Sequence, residues 1–276
     1  MIIKYVNANG QELILNRGDY LVSAHDLRNF EWETTITNRP SGFGGRVVFS
    51  IPVQTKTLTL GIRGGKALNK NAEALLALTE PDILNNTPGK LYVGDDYLIC
   101  FLAVASAVNY YSKRGGWVSK ELTILVSEPF WRSEYIYRYV MGAAEAGQGS
   151  KRYTHREPYR YIASTASGII TNHHYAPSPM IITIYNEAAN PAITIGKNIY
   201  QVNASIGNTQ RIIIDQLRRT IESVSPNGDI TNLFDYRNKA NDIFAPIQPG
   251  SHNIIFDGTF DFDVTVVEQR SEPPWT

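Results

Sequence analysis

The sequence predicts a mainly β protein of two β-sandwich-type domains, the first with one short α-helix and a projecting β-hairpin arm. Three observations predict this. Apolar residues alternate with period two in many short runs, with Gly, Asn and Pro between them. Only one segment, near residue 70, carries a helical stripe. The stretch Leu122 to Glu134 ends a strand abruptly and separates the helix-bearing part from a part built only of strand-like runs. The boundary predicted there gives domains of 1–130 and 131–276.

Composition agrees. Among 276 residues, 43% are hydrophobic, enough to fill real cores. Sixteen tyrosines, with frequent Thr, Ile and Val, lean toward sheets. The formal net charge is zero, which argues against a general binder of nucleic acid or acidic membrane. A single cysteine, Cys100, excludes an intrachain disulfide and fits folding in a reducing cytosol. The N-terminus lacks the pattern of a signal peptide, and no apolar run approaches the ~20 residues that span a bilayer.

The elements follow in order. Ile3 and Tyr5 lie across from Leu13 and Leu15, with Asn9-Gly10 at the turn, a pair that tolerates positive φ. The arm comes next, at about 25–53. Phe30, Trp32, Thr34 and Ile36 form one face of its first strand. Val47, Phe49, Ile51 and Val53 alternate back after a Gly-rich loop holding Phe43 and ending at Arg46. A glycine-rich tip on aromatic arms calls for an external surface to hold it. Leu58, Leu60 and Ile62 make one face of a third strand.

The stripe Leu68, Ala72, Leu75, Leu76, Thr79 predicts a helix over 67–79, capped by Asn69 or Asn71 and stopped by Pro81. Leu91 and Val93, Gly94 to Asp96, and Tyr97 to Val104 predict a hairpin whose second strand is central, with Cys100 in the core. The segment Ser112 to Gly116 reads as a turn into Leu122, Ile124 and Val126. Pro129 then blocks a continuing strand, and Phe130 and Trp131 bring a large apolar payload to the junction.

Beyond it, Tyr135 to Val140 reads as a strand and Glu145 to Pro158 as a long loop. Strand-like runs follow at about 159–166, 168–173, 180–186, 191–195, 197–203, 209–214, 217–224, 252–257 and 260–268. Short strands at near-regular spacing with no helix point to a sandwich.

No constellation for chemistry stands out. His173 and His174 are adjacent, so on a strand they face opposite ways and do not share a metal. Asp261 and Asp263 would share a strand face, with Asp257 nearby. Calcium or a glycosidase would use such carboxylates, but alternation with Phe260 and Phe262 describes a half-buried strand with a wet outer face. Lys151, Arg152, His155, Arg156 and Arg160 interleave with Tyr153, Tyr159 and Tyr161, a set that could hold a phosphate or a sugar but reads more simply as a charged, solvated loop. There is no nucleophile elbow, Walker loop, dinucleotide fingerprint or zinc spacing. The residues give no catalytic site, cofactor site or metal site.

The order of features resembles the distal tail protein (Dit) family of long-tailed phages. It is carried by the Asn9-Gly10 hairpin, the arm with Gly42 to Arg46, and the strand–helix–hairpin run from Thr57 to Val104. Glu128 to Trp131 resembles that family's domain junction. The second half adds Pro179 to Ile184, Ile213 to Asp215 with Arg219 to Ile221, Asn227-Gly228, and Pro249 to Asn253.

The resemblance implies a non-enzymatic virion protein, assembled in the host cytoplasm and located at the tail tip. Its N-terminal domain would form a hexameric ring, its arm would act as a belt onto the next subunit, and its C-terminal domain would be galectin-like. The tail tube, the tail-associated hub protein and receptor-binding proteins would be its partners, with DNA only in transit and no membrane. Subunit contact would fall on Phe30, Trp32, Phe43, Arg46, Val47 and Phe49, and the domain junction on Pro129, Phe130 and Trp131. Two other readings stand beside it. One is a carbohydrate-binding sandwich using Trp131, Tyr135, Tyr137 and Tyr139 as an aromatic platform. The other is a glycoside hydrolase using the late aspartates.

Overall fold

The computed structural model describes residues 1–38, 45–112, 117–140 and 167–273. The tip residues 39–44, the turn 113–116, the loop expected at 145–158 and the run at 159–166 lie outside them, as does the basic and aromatic cluster of 151–161. Among the described residues the architecture is mainly β with one α-helix. The chain divides into two compact units, Met1–Ser133 with Gln269–Thr276, and Glu134–Glu268.

In the first unit, β1 (Ile3–Val6) pairs with β2 (Glu12–Ile14) in the expected hairpin, with Tyr5 opposite Leu13 and Gly10 at φ 80°. Strand β3 (Tyr20–His25) pairs with β6 (Gln54–Arg63). Between them, β4 (Glu33–Asn38) and β5 (Gly45–Ser50) form the arm. Helix α1 (Leu68–Leu84) precedes β7 (Gly89–Val93), the long β8 (Asp96–Ser112) and β9 (Trp117–Val126). Strand β8 joins the unit together: its first residues pair with β7, and from Phe101 onward it pairs with β9. Leu58, Leu60, Ile62, Leu98, Cys100, Leu102, Leu122, Ile124 and Val126 pack on one inner side, with Leu75 and Leu78 of the helix against them. Burial pushes the Cys100 thiol up to about 12, so it is an inert core residue.

The helix departs from its expected bounds. It runs through Pro81 to Leu84, and neither Asn69 nor Asn71 caps it. Pro81 sits in the last turn, where its missing N–H costs one ladder bond. The buried Asp82 beside it is held in place: Tyr5 donates its hydroxyl to Asp82 at 2.6 Å and the Ala8 N–H donates to it at 2.9 Å. Tertiary hydrogen bonding outweighs the helix-breaking residue. Asn71 instead donates to the Arg63 carbonyl and to Asp19, tying the helix start to β6.

Strand β10 (Trp131–Tyr139) begins in the first unit and ends in the second. The second unit then adds β11 (Ser167–Asn172), β12 (Met180–Tyr185), β13 (Ala188–Ala189), β14 (Ala192–Ile195), β15 (Asn198–Gln201) and β16 (Ser205–Ile206). It closes with β17 (Arg211–Asp215), β18 (Thr220–Val224), β19 (Ile230–Asn232), β20 (Gly250–Ile255) and β21 (Asp261–Arg270). One sheet runs β19-β18-β17-β12-β21-β10 and the other β11-β20-β14-β15. Ile182, Ile184, Ile212, Phe262 and Val264 of the first share a core with Ile170, Ile193, Tyr200 and Ile254 of the second, which is a β-sandwich.

Candidate docking surface on the hairpin arm

The arm is a two-stranded ladder whose strands, among the described residues, pair only with each other. Thr34 lies opposite Phe49 and Ile36 opposite Val47, so these four share a face. That parity continues to Trp32, whose ring stands edge-on to Phe49 with centroids 6.3 Å apart. The other face carries Glu33, Thr35, Thr37, Arg46, Val48 and Ser50. The arm is thus apolar on one side and mostly polar on the other. Its apolar side is wet: Ile36 is 66% exposed, Phe49 62%, Trp32 52% and Val47 51%. Clustered exposure of this kind marks an interaction surface, whereas isolated exposed apolar residues do not.

The base of the arm is held firmly. Phe30 is half-buried, with its ring 5.0 Å from Trp32 and 5.9 Å from Phe130. Lys56 lies inside the fold at 2% exposure and donates its ammonium to the Asn29 carbonyl. Burial lowers the Lys56 pKa, opposed by the charges of Asp26, Glu272 and Glu31. Gln54 donates to the Glu31 carbonyl at 3.2 Å, and Asp26 accepts the Thr57 N–H at 2.6 Å. Two neighbouring inward positions of β6 therefore grip the segment that launches the arm. Sequence reading did not single out Lys56 or Gln54. The signal was their parity with Leu58, Leu60 and Ile62, which sends their side chains inward.

The residues expected at the subunit contact are now placed. Trp32, Val47 and Phe49 share the apolar face, Phe30 packs at its root, and Arg46 lies on the opposite face across from Thr37. Phe43 falls outside the described residues. Ile36, not among those expected contacts, is the most exposed of the apolar face. At the junction, Pro129 is buried, Phe130 packs on Phe30, and Trp131 sits in the core of the first unit at 1% exposure. Arg132 ion-pairs with Glu128, and Ser133 donates to Asp96 at 2.6 Å.

Elsewhere the structure places the other side chains that the sequence offered for chemistry. Of the aromatic platform expected for sugar binding, Trp131, Tyr137 and Tyr139 are buried: Tyr137 donates to the Thr171 carbonyl at 2.7 Å and Tyr139 stacks on Phe262 at 4.7 Å. Only Tyr135 remains exposed. Residues 131, 137 and 139 of β10 put their rings in cores, whereas Tyr135, of the same parity, stays exposed. Asp263 accepts from Tyr185 at 3.1 Å and pairs with Arg138 at 3.6 Å, and Asp261 accepts from Asn186 at 2.9 Å. Burial raises the Asp263 pKa. His174 is buried beside an exposed His173. Among the described residues no group of His, Cys, Asp and Glu is placed to hold a metal ion, and no helix is long and apolar enough to cross a membrane.

Comparison with known proteins follows this geometry. Neither a protein-family model nor a curated relative matches the chain. Solved structures do. The crystal structure of the phage SPP1 protein Dit (gp 19.1), described as a paradigm of the hub adsorption apparatus in phages infecting Gram-positive hosts, matches over 98% of this chain and 100% of its own. The TM-score is 0.59 at 13% identity.

The fold is that of Dit.

A chain of the phage P2 baseplate in its activated conformation with Ca matches at TM-score 0.58 and 15% identity, over 99% of both chains. A chain of the same baseplate with Sr matches at 0.60 and 16%, again over 99% of both. At such low identity what is shared is the Dit fold, along nearly the whole length and through both units. The expected mainly β class, with one helix in the first half, is the observed one.

Proposed function

We propose that this chain is a structural protein of a phage tail tip, in which like subunits close a ring through the arm. The observation that carries the reading is the arm itself: an apolar face of Trp32, Ile36, Val47 and Phe49, left in water by its own chain, on a protein with the full-length Dit fold. Fully burying side chains of this size is worth ~1.5–3 kcal/mol each relative to full exposure. These are already part-shielded, so a partner surface would gain about half of that from each. A contact of this kind repeated head to tail closes into a ring when its rotation permits. A stable ring needs more than ~1,000 Å² buried per contact, so surface beyond the arm must take part.

In this reading the ring is a hexamer and the arm is the belt lying on the next subunit. The division of labour follows the domains near residue 130: an N-terminal ring-forming domain, and a C-terminal galectin-like sandwich facing outward. The ring links the tail tube to the tail-associated hub protein and to receptor-binding parts, DNA passes through its channel, and the chain catalyses nothing. Mass photometry and negative-stain microscopy of the purified protein test it. A closed ring of about six copies is the expected result. A clean monomer at high concentration, with no ring in the images, overturns it.

A further inference from the structure

We propose that the stacked pair Phe234 and Phe244, capped by Arg237 and Arg219, is a docking platform for a segment of a partner protein that carries both carboxylates and apolar side chains. The four side chains form one cluster, each arginine against one ring. The two rings lie 5.9 Å apart and nearly parallel, at 22°. The Arg237 guanidinium sits 4.0 Å from the Phe234 centroid, and the Arg219 guanidinium 5.5 Å from that of Phe244.

The cluster is held by backbone structure. Phe234 opens a 3-10 turn, its N–H donating to Asn232 at 2.9 Å, and Arg237 is bridged to Val202. The Phe244 N–H donates to Asp242 at 3.0 Å. Arg219 ends the β17–β18 turn in the left-handed region, at φ 57°. Glycine or asparagine suits that conformation best. An arginine there accepts strain and keeps a guanidinium over Phe244, and strain of this kind gathers at working sites.

The two arginines keep N–H donors to spare. Neither makes an ion pair among the described residues, although Arg218 next door pairs with Asp215 at 3.9 Å. Arg237 spends one N–H on the Phe234 carbonyl at 2.7 Å. A guanidinium lying on a ring keeps its N–H edge pointing outward, in the geometry that grips a carboxylate with two bonds. Beside these edges Phe234 is 36% exposed and Tyr236 54%, which rewards apolar side chains in the same ligand. Pre-set aromatic and arginine groups of this type carry most of the energy at protein interfaces. Acid plus apolar character selects a protein segment over a bare polyanion. The inference stands apart from the arm and from any ring.

Fluorescence anisotropy on the full chain tests it, with a labelled synthetic peptide alternating Glu with Leu and Phe. The peptide is expected to bind, to bind at least ~10-fold more weakly to the R219Q/R237Q double variant, and to be unaffected by K66Q, an exposed lysine of the first unit. Its Lys-for-Glu counterpart is expected not to bind. R219K/R237K keeps the charge but loses the fork, and should fall between the wild type and the Gln variant. No binding up to millimolar peptide overturns the proposal, as does equal binding by a double variant with unchanged circular dichroism. Equal binding of polyglutamate, or displacement by equimolar inorganic phosphate, also overturns it, because the site would then be a simple anion sink.

Discussion

Ile36 lies directly opposite Val47 across the arm, and each leaves more than half of its surface in water. A cross-strand apolar pair normally hides against a third layer; here, among the described residues, no other strand pairs with the arm. The pair is therefore cheap to change in the isolated subunit, and would be costly to change in an assembly that buried it.

Val47→Asp is expected to leave the subunit's own stability within about ±0.5 kcal/mol, since the site is exposed. In an assembly that buries this face, an unpaired carboxylate costs about 2 kcal/mol per contact, roughly thirtyfold in subunit affinity. Denaturant melts beside sedimentation velocity separate the two effects. A Val47→Asp protein that still assembles at wild-type concentration would remove the arm from the contact.

The root of the arm gives a second test. Lys56→Ala strips the Asn29 carbonyl of its partner at a buried position and leaves a cavity. A loss of about 1–3 kcal/mol is expected for the first effect alone. Hydrogen exchange should speed up first at residues 26–31 and in the arm, while amides of the Glu134–Glu268 sandwich keep their protection. Uniform acceleration in both units would show that Lys56 is a general core residue and no anchor.

Much of this fold was legible where one rule acted alone. Met180, Ile182 and Ile184, and Phe260, Phe262, Val264 and Val266, recur at every second position, and β12 and β21 fall on these runs. Strand β3 was not legible, because a register shift between Val22 and Ala24 breaks its alternation as it pairs with β6. The helix end was misplaced because Pro81 is a local signal and the Tyr5–Asp82 bond is a distant one. Of the arm, parity and aromatic character were readable, and so was the need for something outside it. What anchors it was not, because Lys56 reads as a surface residue until its strand is placed against the neighbouring β9 and β3.

Gly89 offers a stability test tied to the same buried bond. A Cβ at this position would stand 2.6 Å from Cζ of Tyr5 and 2.7 Å from the Asp82 carboxylate. Neither can retreat: Tyr5 is fully buried and Asp82 nearly so. Gly89→Ala is expected to cost about 1–3 kcal/mol by overpacking, read as a lower urea midpoint at unchanged slope. An unchanged midpoint would mean that the first-unit core is looser than its geometry.

Alkali should unfold the protein earlier than its net charge suggests. Burial raises the pKa of Tyr5, Tyr139 and Tyr200 above the ordinary 10.0, and at Tyr5 the Asp82 carboxylate adds to the rise. Above pH 10 the unfolded chain releases these protons while the native chain keeps them. Their share of stability is thus complete below pH 10 and is lost as pH climbs past it toward each raised value. The slope is about 1.4 kcal/mol per pH unit for each such group. Tyr139→Phe isolates one group, because the ring still stacks on Phe262 and only the hydroxyl goes. Its urea midpoint should match the wild type near neutral pH and then fall less steeply above pH 10. Parallel alkaline curves for the two proteins would show that the Tyr139 hydroxyl ionises as freely in the native state as in the unfolded one, contrary to its burial.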